Sequence, residues 1–195
     1  MALKTQATID SFDIEMQTNQ LSHFLLTKEL FPLLKKAEEK RGGSLGGNGS
    51  NMILSMVIIQ GRWTRYAQTK LASVAFTACL HDKIKNLNIK ALVAHPGLAV
   101  TELQNTTVKD GGMGSWMTSQ FMKSGRTMED GVINILKCKA DSNTNFGEFY
   151  GPGKGRMDMK GPVVKFDLEE FYDNRETRDL LWNKSCEAIG EDFII

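Results

Sequence analysis

Cysteine is scarce in this chain, with three residues in 195, at Cys79, Cys138 and Cys186. An odd number of widely spaced thiols, with no CxxC pair and no Cys/His cluster, predicts neither a disulfide framework nor a zinc site. Proline is nearly as rare, at four residues, and no charge sign dominates: 24 Lys and Arg stand against 23 Asp and Glu, a net of +1. That balance lacks the basic footprint of a nucleic-acid or acidic-lipid binder. Long hydrophobic runs are missing too. The longest, 52–59, contains Ser55 and is far too short to span a bilayer. The first ten residues have no apolar stretch of the kind a secretory leader needs. These absences predict a cytoplasmic protein with reduced thiols and no membrane span.

What is present is enough for a core, since 41% of the residues are hydrophobic. One domain over 1–195 is expected at this length. Helical spacing of Met16, Leu21, Phe24, Leu25, Phe31 and Leu34 predicts a helix over 11–40, capped by Asp10 or Ser11 and bent or interrupted at Pro32. The segment 41–51 holds five of the eighteen glycines and reads as a surface turn. The run 52–59 fits a strand buried on both faces. A second helix is expected over 65–87, a strand over 89–94 stopped by His95-Pro96-Gly97, a loop with a short helix over 101–126, and a helix over 127–140. A strand over 147–150 should end in the turn Gly151-Pro152-Gly153, and a charged helix over 166–190 should close the chain, with Glu169, Glu170, Asp173 and Glu176 on its wet face. Alternation of helix and strand predicts an α/β fold with a parallel sheet of about three strands.

The glycines do not form a nucleotide cradle. Neither 42–49, nor 111–114, nor 151–155 gives the GxGxxG spacing, and the GxxxxGK[ST] pattern is absent. Tyr66 and Lys70, four apart in the second helix, share a face. A phenol is too weak an acid to exchange protons readily at neutral pH, and a nearby ammonium favours the phenolate, so the pair predicts a general acid or base. Tyr150 and Lys154 repeat the spacing, but Gly-Pro-Gly between them precludes a shared helical face. Other residues carry blander expectations. His23 and His81 read as helix-surface histidines, and His95 as packing at a strand end. Trp63, Trp116 and Trp182 read as dispersed packing residues, and Met113, Met117 and Met122 as core filling or the lining of an apolar pocket.

The stretches 12–27 (FDIEMQTNQLSHFLLT), 65–76 (RYAQTKLASVAF), 94–101 (AHPGLAVT) and 147–152 (GEFYGP) occur in an order that resembles the short-chain dehydrogenase/reductase family, in particular its retinol-dehydrogenase-like branch. The resemblance implies the C-terminal half of a Rossmann-type doubly wound sheet and hydride transfer between a nicotinamide and an alcohol or ketone. It gives Tyr66 the role of proton donor or acceptor at the substrate oxygen. Lys70 takes that of lowering the phenol's pKa and binding the nicotinamide ribose, and Asn19 that of holding a proton-relay water. Pro96, Gly97, Val100 and Thr101 match the turn at the nicotinamide end of NAD or NADP, with NADP favoured by the branch.

Ser55, eleven residues ahead of Tyr66, is the candidate catalytic serine, a buried structural hydroxyl being the other reading. The family's glycine-rich first half has no counterpart here. Two functions are therefore expected: an oxidoreductase, or an inactive truncated or spliced form acting only by association with a homologous subunit. Pairing through helices 11–40 and 65–87, which in this family commonly meet another subunit, is expected in either case.

Overall fold

Ile89–Ala94 forms a strand in which every residue but Lys90 is buried, and its two faces meet different partners. Ile89, Ala91 and Val93 pack with the long helix Arg62–Ile84, while Leu92 and Ala94 pack with Cys138 of the helix Met128–Ala140. Side chains alternate across a strand, so a run apolar at nearly every position requires cover on both sides. The computed structural model describes residues 6–40, 50–55, 62–97, 108–109, 111, 114–125, 127–141, 143–145, 147–154, 160–167 and 174–195. Among them the order is α1 (Ile14–Met16), a π-helical turn (Gln17–Leu21), α2 (Ser22–Lys40), β1 (Ser50–Ser55), α3 (Arg62–Ile84), β2 (Ile89–Ala94), α4 (Ser115–Ser124), α5 (Met128–Ala140), β3 (Glu148–Lys154), β4 (Lys160–Asp167) and α6 (Arg175–Ile189). The sheet runs β1-β2-β3-β4, with β1, β2 and β3 parallel and β4 antiparallel to β3.

The expected α/β architecture holds, with corrections at element ends. Asp13, not Asp10 or Ser11, caps the first helix, accepting from the amides of Glu15 (3.0 Å) and Met16 (3.1 Å). The helix α2 continues through Pro32, which is exposed, so the expected interruption is absent. Ser50 and Asn51, assigned to the glycine-rich turn, already belong to β1, while 41–49 lie outside the described residues. β3 runs straight through Gly151-Pro152-Gly153 instead of turning there. Residues 160–167 form β4, so Phe166 is strand and the last helix starts at Arg175, capped by Asn174. Of the four acids assigned to its wet face, Glu176 is exposed in α6 and the other three lie outside the described residues.

The main core is aromatic. Phe24 is fully buried, with ring centroids 5.1 Å from Trp182, 5.2 Å from Phe76 and 5.6 Å from Phe193. These rings join α2, α3, α6 and the C-terminal segment on one face of the sheet. On β3 and β4 a second tie operates. The buried Glu148 carboxylate accepts from Tyr150 Oη, from Lys165 Nζ at 2.7 Å and from the Asn145 amide at 2.7 Å. Burial alone would raise its pKa, but the hydrogen bonds from Lys165, Tyr150 and Asn145 outweigh it and hold the carboxyl down at about 2.

A carboxyl depressed in the folded state stabilises fully above its unfolded value, near pH 4.5, and the contribution is lost as pH falls through about 2. The loss across that window is expected to be on the order of 3 kcal/mol. Glu148→Gln should remove it, so urea unfolding from pH 6 to pH 2 should show a shallower acid slope in the variant. Equal slopes would assign the acid lability elsewhere.

Candidate active site

The helix α3 follows parallel strand β1 and precedes β2, so its first turns lie at the carboxyl end of the sheet. That end of an open α/β sheet is where ligands bind. Tyr66 and Lys70 occupy those turns, and His95-Pro96-Gly97 leaves the carboxyl end of β2. Ser55 closes β1 opposite Ala94 in the ladder, and so belongs to the same end. Val100 and Thr101 lie outside the described residues.

Tyr66 is 6% exposed, and the Lys70 ammonium stands over its ring, 5.5 Å from the centroid. The two groups share a helical face, as the spacing required. The expected electrostatics are reversed, however. Burial, with the buried Glu15 carboxylate adding to it, pushes the Tyr66 phenol up to about 12. The ammonium faces the ring, where it makes a cation–π contact. Burial lowers the Lys70 pKa, and among the described residues no carboxylate pairs with that ammonium.

Asn19 sits inside the π-helical turn, a one-residue widening of the helix frequent at functional positions. Its side-chain amide donates to Thr69 Oγ1 at 3.1 Å, and that hydroxyl donates to the Tyr66 carbonyl at 2.7 Å. Ser73 Oγ donates to the Asn19 carbonyl at 3.2 Å. Asn19, Tyr66 and Lys70 are thus brought together by a short polar zip between the two helices.

Three neighbours escaped the sequence reading. The buried Glu15 faces Arg65, whose Nε lies 3.5 Å from Glu15 Oε2 and 3.3 Å from Asp13 Oδ2, beside Tyr66. An acid and a base fifty residues apart give no local signal. His23 is exposed as expected but stands near Lys70. Its pKa is lowered first by partial burial and then by that positive charge.

Elsewhere, His81 is half-buried against Gly147 instead of solvated, its Nε2 3.6 Å from where a Cβ on that glycine would lie. Tyr150 of the second Tyr/Lys pair lies in β3 and is engaged by Glu148. Trp182 is core, Trp116 is 74% exposed, and Met122 is exposed. No helix among the described residues is long and apolar enough to cross a membrane.

Known proteins resemble this chain in sequence and in fold. Human retinol dehydrogenase 12 is 27% identical over 191 residues, covering 94% of this chain and 56% of that protein. Mouse retinol dehydrogenase 13 is 28% identical over 198 residues, covering 94% of this chain and 55% of its own length. An uncharacterized oxidoreductase of Schizosaccharomyces pombe is 30% identical over 115 residues, half of this chain and 34% of that protein. The chain therefore spans about 56% of the length of retinol dehydrogenase 12. A crystal structure of a protein from Mycobacterium paratuberculosis superposes with a TM-score of 0.65 at 19% identity, over the whole of this chain and 65% of its own, which shows a Rossmann-type fold. The family model described as short chain dehydrogenase matches residues 2–112, more than half of the chain, and the protein belongs to the short-chain dehydrogenase family.

Proposed function

We propose that this protein is an NAD(P)-dependent oxidoreductase that interconverts an apolar alcohol and its carbonyl compound, with Tyr66 as the proton-transferring acid or base. The observation that carries this reading is the Lys70 ammonium standing over the Tyr66 ring at the carboxyl end of the sheet. The nicotinamide end of a dinucleotide fits the residues present. Lys70 offers three donors in a half-buried position with no carboxylate partner among the described residues, which suits ribose hydroxyls. Gly97 turns in the left-handed region, at φ +77°, and brings no side chain to the turn.

A bound nicotinamide supplies the hydride of such a reaction. In the reductive direction, Tyr66 Oη hydrogen-bonds the substrate carbonyl oxygen and donates its proton as the oxygen gains charge. The phenol, held up at about 12 by burial, is protonated at neutral pH and so is in the form that donates. The phenolate left behind is reprotonated from solvent, with Lys70 as the adjacent cation and Asn19 as the residue that holds a relay water. Ser55, at the end of β1, is the remaining candidate to hold the substrate oxygen.

Calorimetric titration with NADPH and NADH, followed by turnover on a panel of apolar aldehydes and ketones, tests the reading. Saturable binding of one nucleotide and turnover of at least one carbonyl are expected. A purified protein that binds neither nucleotide overturns it.

One observation favours the association reading as well. Leu25, Leu26, Leu30 and Leu33 are exposed on α2, and Leu71 is exposed on α3. Such a stripe suits a second subunit of the same family, with or without catalysis. Light scattering should then find a dimer, and a monomer with full activity would exclude this second role.

A further inference from the structure

We propose that His95 is a positioning residue: its Nδ1 accepts the Gly97 N–H and holds the Pro96-Gly97 turn in the one conformation that can wall the nicotinamide end of the site. The inference rests on the oxidoreductase reading above. The Gly97 amide lies 2.8 Å from His95 Nδ1, two residues along the chain. A backbone N–H can only donate, so Nδ1 is the unprotonated nitrogen and the ring proton is on Nε2.

The backbone of His95 and the face of its ring are also held. Its own N–H donates to the Tyr150 carbonyl at 2.7 Å, and its carbonyl accepts from the fully buried Asn134 amide. The imidazole stacks on Phe149, planes within 7° and centroids 6.4 Å apart. Burial keeps the imidazole's pKa down at about 4, so the acceptor is available at neutral pH. A residue fixed to β3 by its ring and backbone N–H and to α5 by its carbonyl thereby sets the direction in which Gly97, at φ +77°, leaves the sheet.

Side-chain chemistry separates this role from mere packing. Asparagine carries its oxygen near the Nδ1 position and closes the same link to the amide two residues on, whereas glutamine carries its oxygen near Nε2 and cannot. Hydrogen exchange at the Gly97 amide and calorimetric NADPH and NADH affinity are to be measured for wild type, His95→Asn, His95→Gln and His95→Ala, with thermal midpoints confirming folding. Wild type and His95→Asn should protect the Gly97 amide and bind the preferred nucleotide alike. His95→Gln and His95→Ala should lose protection and bind about tenfold more weakly, as for one lost hydrogen bond.

If His95→Ala fails to fold, the Asn and Gln pair still decides. An unprotected Gly97 amide in wild type, or equal affinity in the Asn and Gln variants, overturns the inference alone. A protected amide in a wild-type protein that binds neither nucleotide overturns the oxidoreductase reading and this role with it.

Discussion

Tyr66→Phe is expected to lower kcat for carbonyl reduction by about 10²–10⁴-fold, the usual contribution of a positioned general acid. The phenyl ring keeps the shape of the site and the cation–π contact with Lys70, so nucleotide affinity should stay near wild type. Stability should change by only about 1 kcal/mol, as for one buried hydroxyl. The combination discriminates. A fall in kcat with unchanged nucleotide binding places Tyr66 at the substrate oxygen, whereas a proportional loss of binding and stability makes it a packing residue. A variant as active as wild type removes Tyr66 from the chemistry.

The proton side of this assignment also has a spectroscopic signature. In the nucleotide-free protein the Tyr66 phenol should remain protonated until about pH 12, because burial and Glu15 both disfavour the phenolate. Absorbance titration of wild type minus Tyr66→Phe should therefore show the ionisation step well above that of an exposed tyrosine. A step near pH 10, the ordinary value, would mean that Lys70 reaches the oxygen and that the ring-face geometry is not the one in solution.

The largest stability effect should come from Phe24→Ala. Phe24 touches Phe76, Trp182 and Phe193 at centroid distances of 5.2, 5.1 and 5.6 Å, and no part of it is exposed. Truncation removes the buried ring and leaves a cavity bounded by three other rings that are anchored on α3, α6 and the C-terminal segment. Such losses cost about 3–5 kcal/mol. For a chain of this length that corresponds to a fall in Tm of roughly 6–20 °C. Leu26→Ser, two residues away but exposed on α2, should change the Tm of the monomer little. If the two variants melted alike, the aromatic cluster would not be the principal core.

Much of the architecture was legible because its signals are local. The strand 89–94 is found with its predicted bounds, since an apolar run ended by His-Pro-Gly has few alternatives. The helix expected over 127–140 is found at Met128–Ala140, with Thr127 as its cap accepting from the Asp130 amide at 3.1 Å. β4 was missed because Lys160–Asp167 carries a glycine, a proline and two lysines and reads as loop. It becomes a strand by pairing with the preceding strand β3 and by the Lys165 to Glu148 contact, both of which depend on residues outside the segment itself. The π-helical turn at Asn19 was equally silent, and the partners of Asn19 there, Thr69 and Ser73, lie fifty or more residues on.

The site divides in the same way. Spacing on one helix sufficed to put Tyr66 and Lys70 on a common face, because helical geometry repeats within one turn whatever surrounds it. Which part of the phenol the ammonium meets, and whether the phenol becomes a stronger or a weaker acid, depends on burial and on Glu15, and so on how α1 and the π-helical turn pack against α3. The amino-acid order by itself determined the α/β class, the family and the identity of the candidate acid. Only the tertiary structure decided its protonation, the partners of Asn19 and the fastening of Gly97 by His95, because dielectric and hydrogen-bond partners are properties of what surrounds a residue in space.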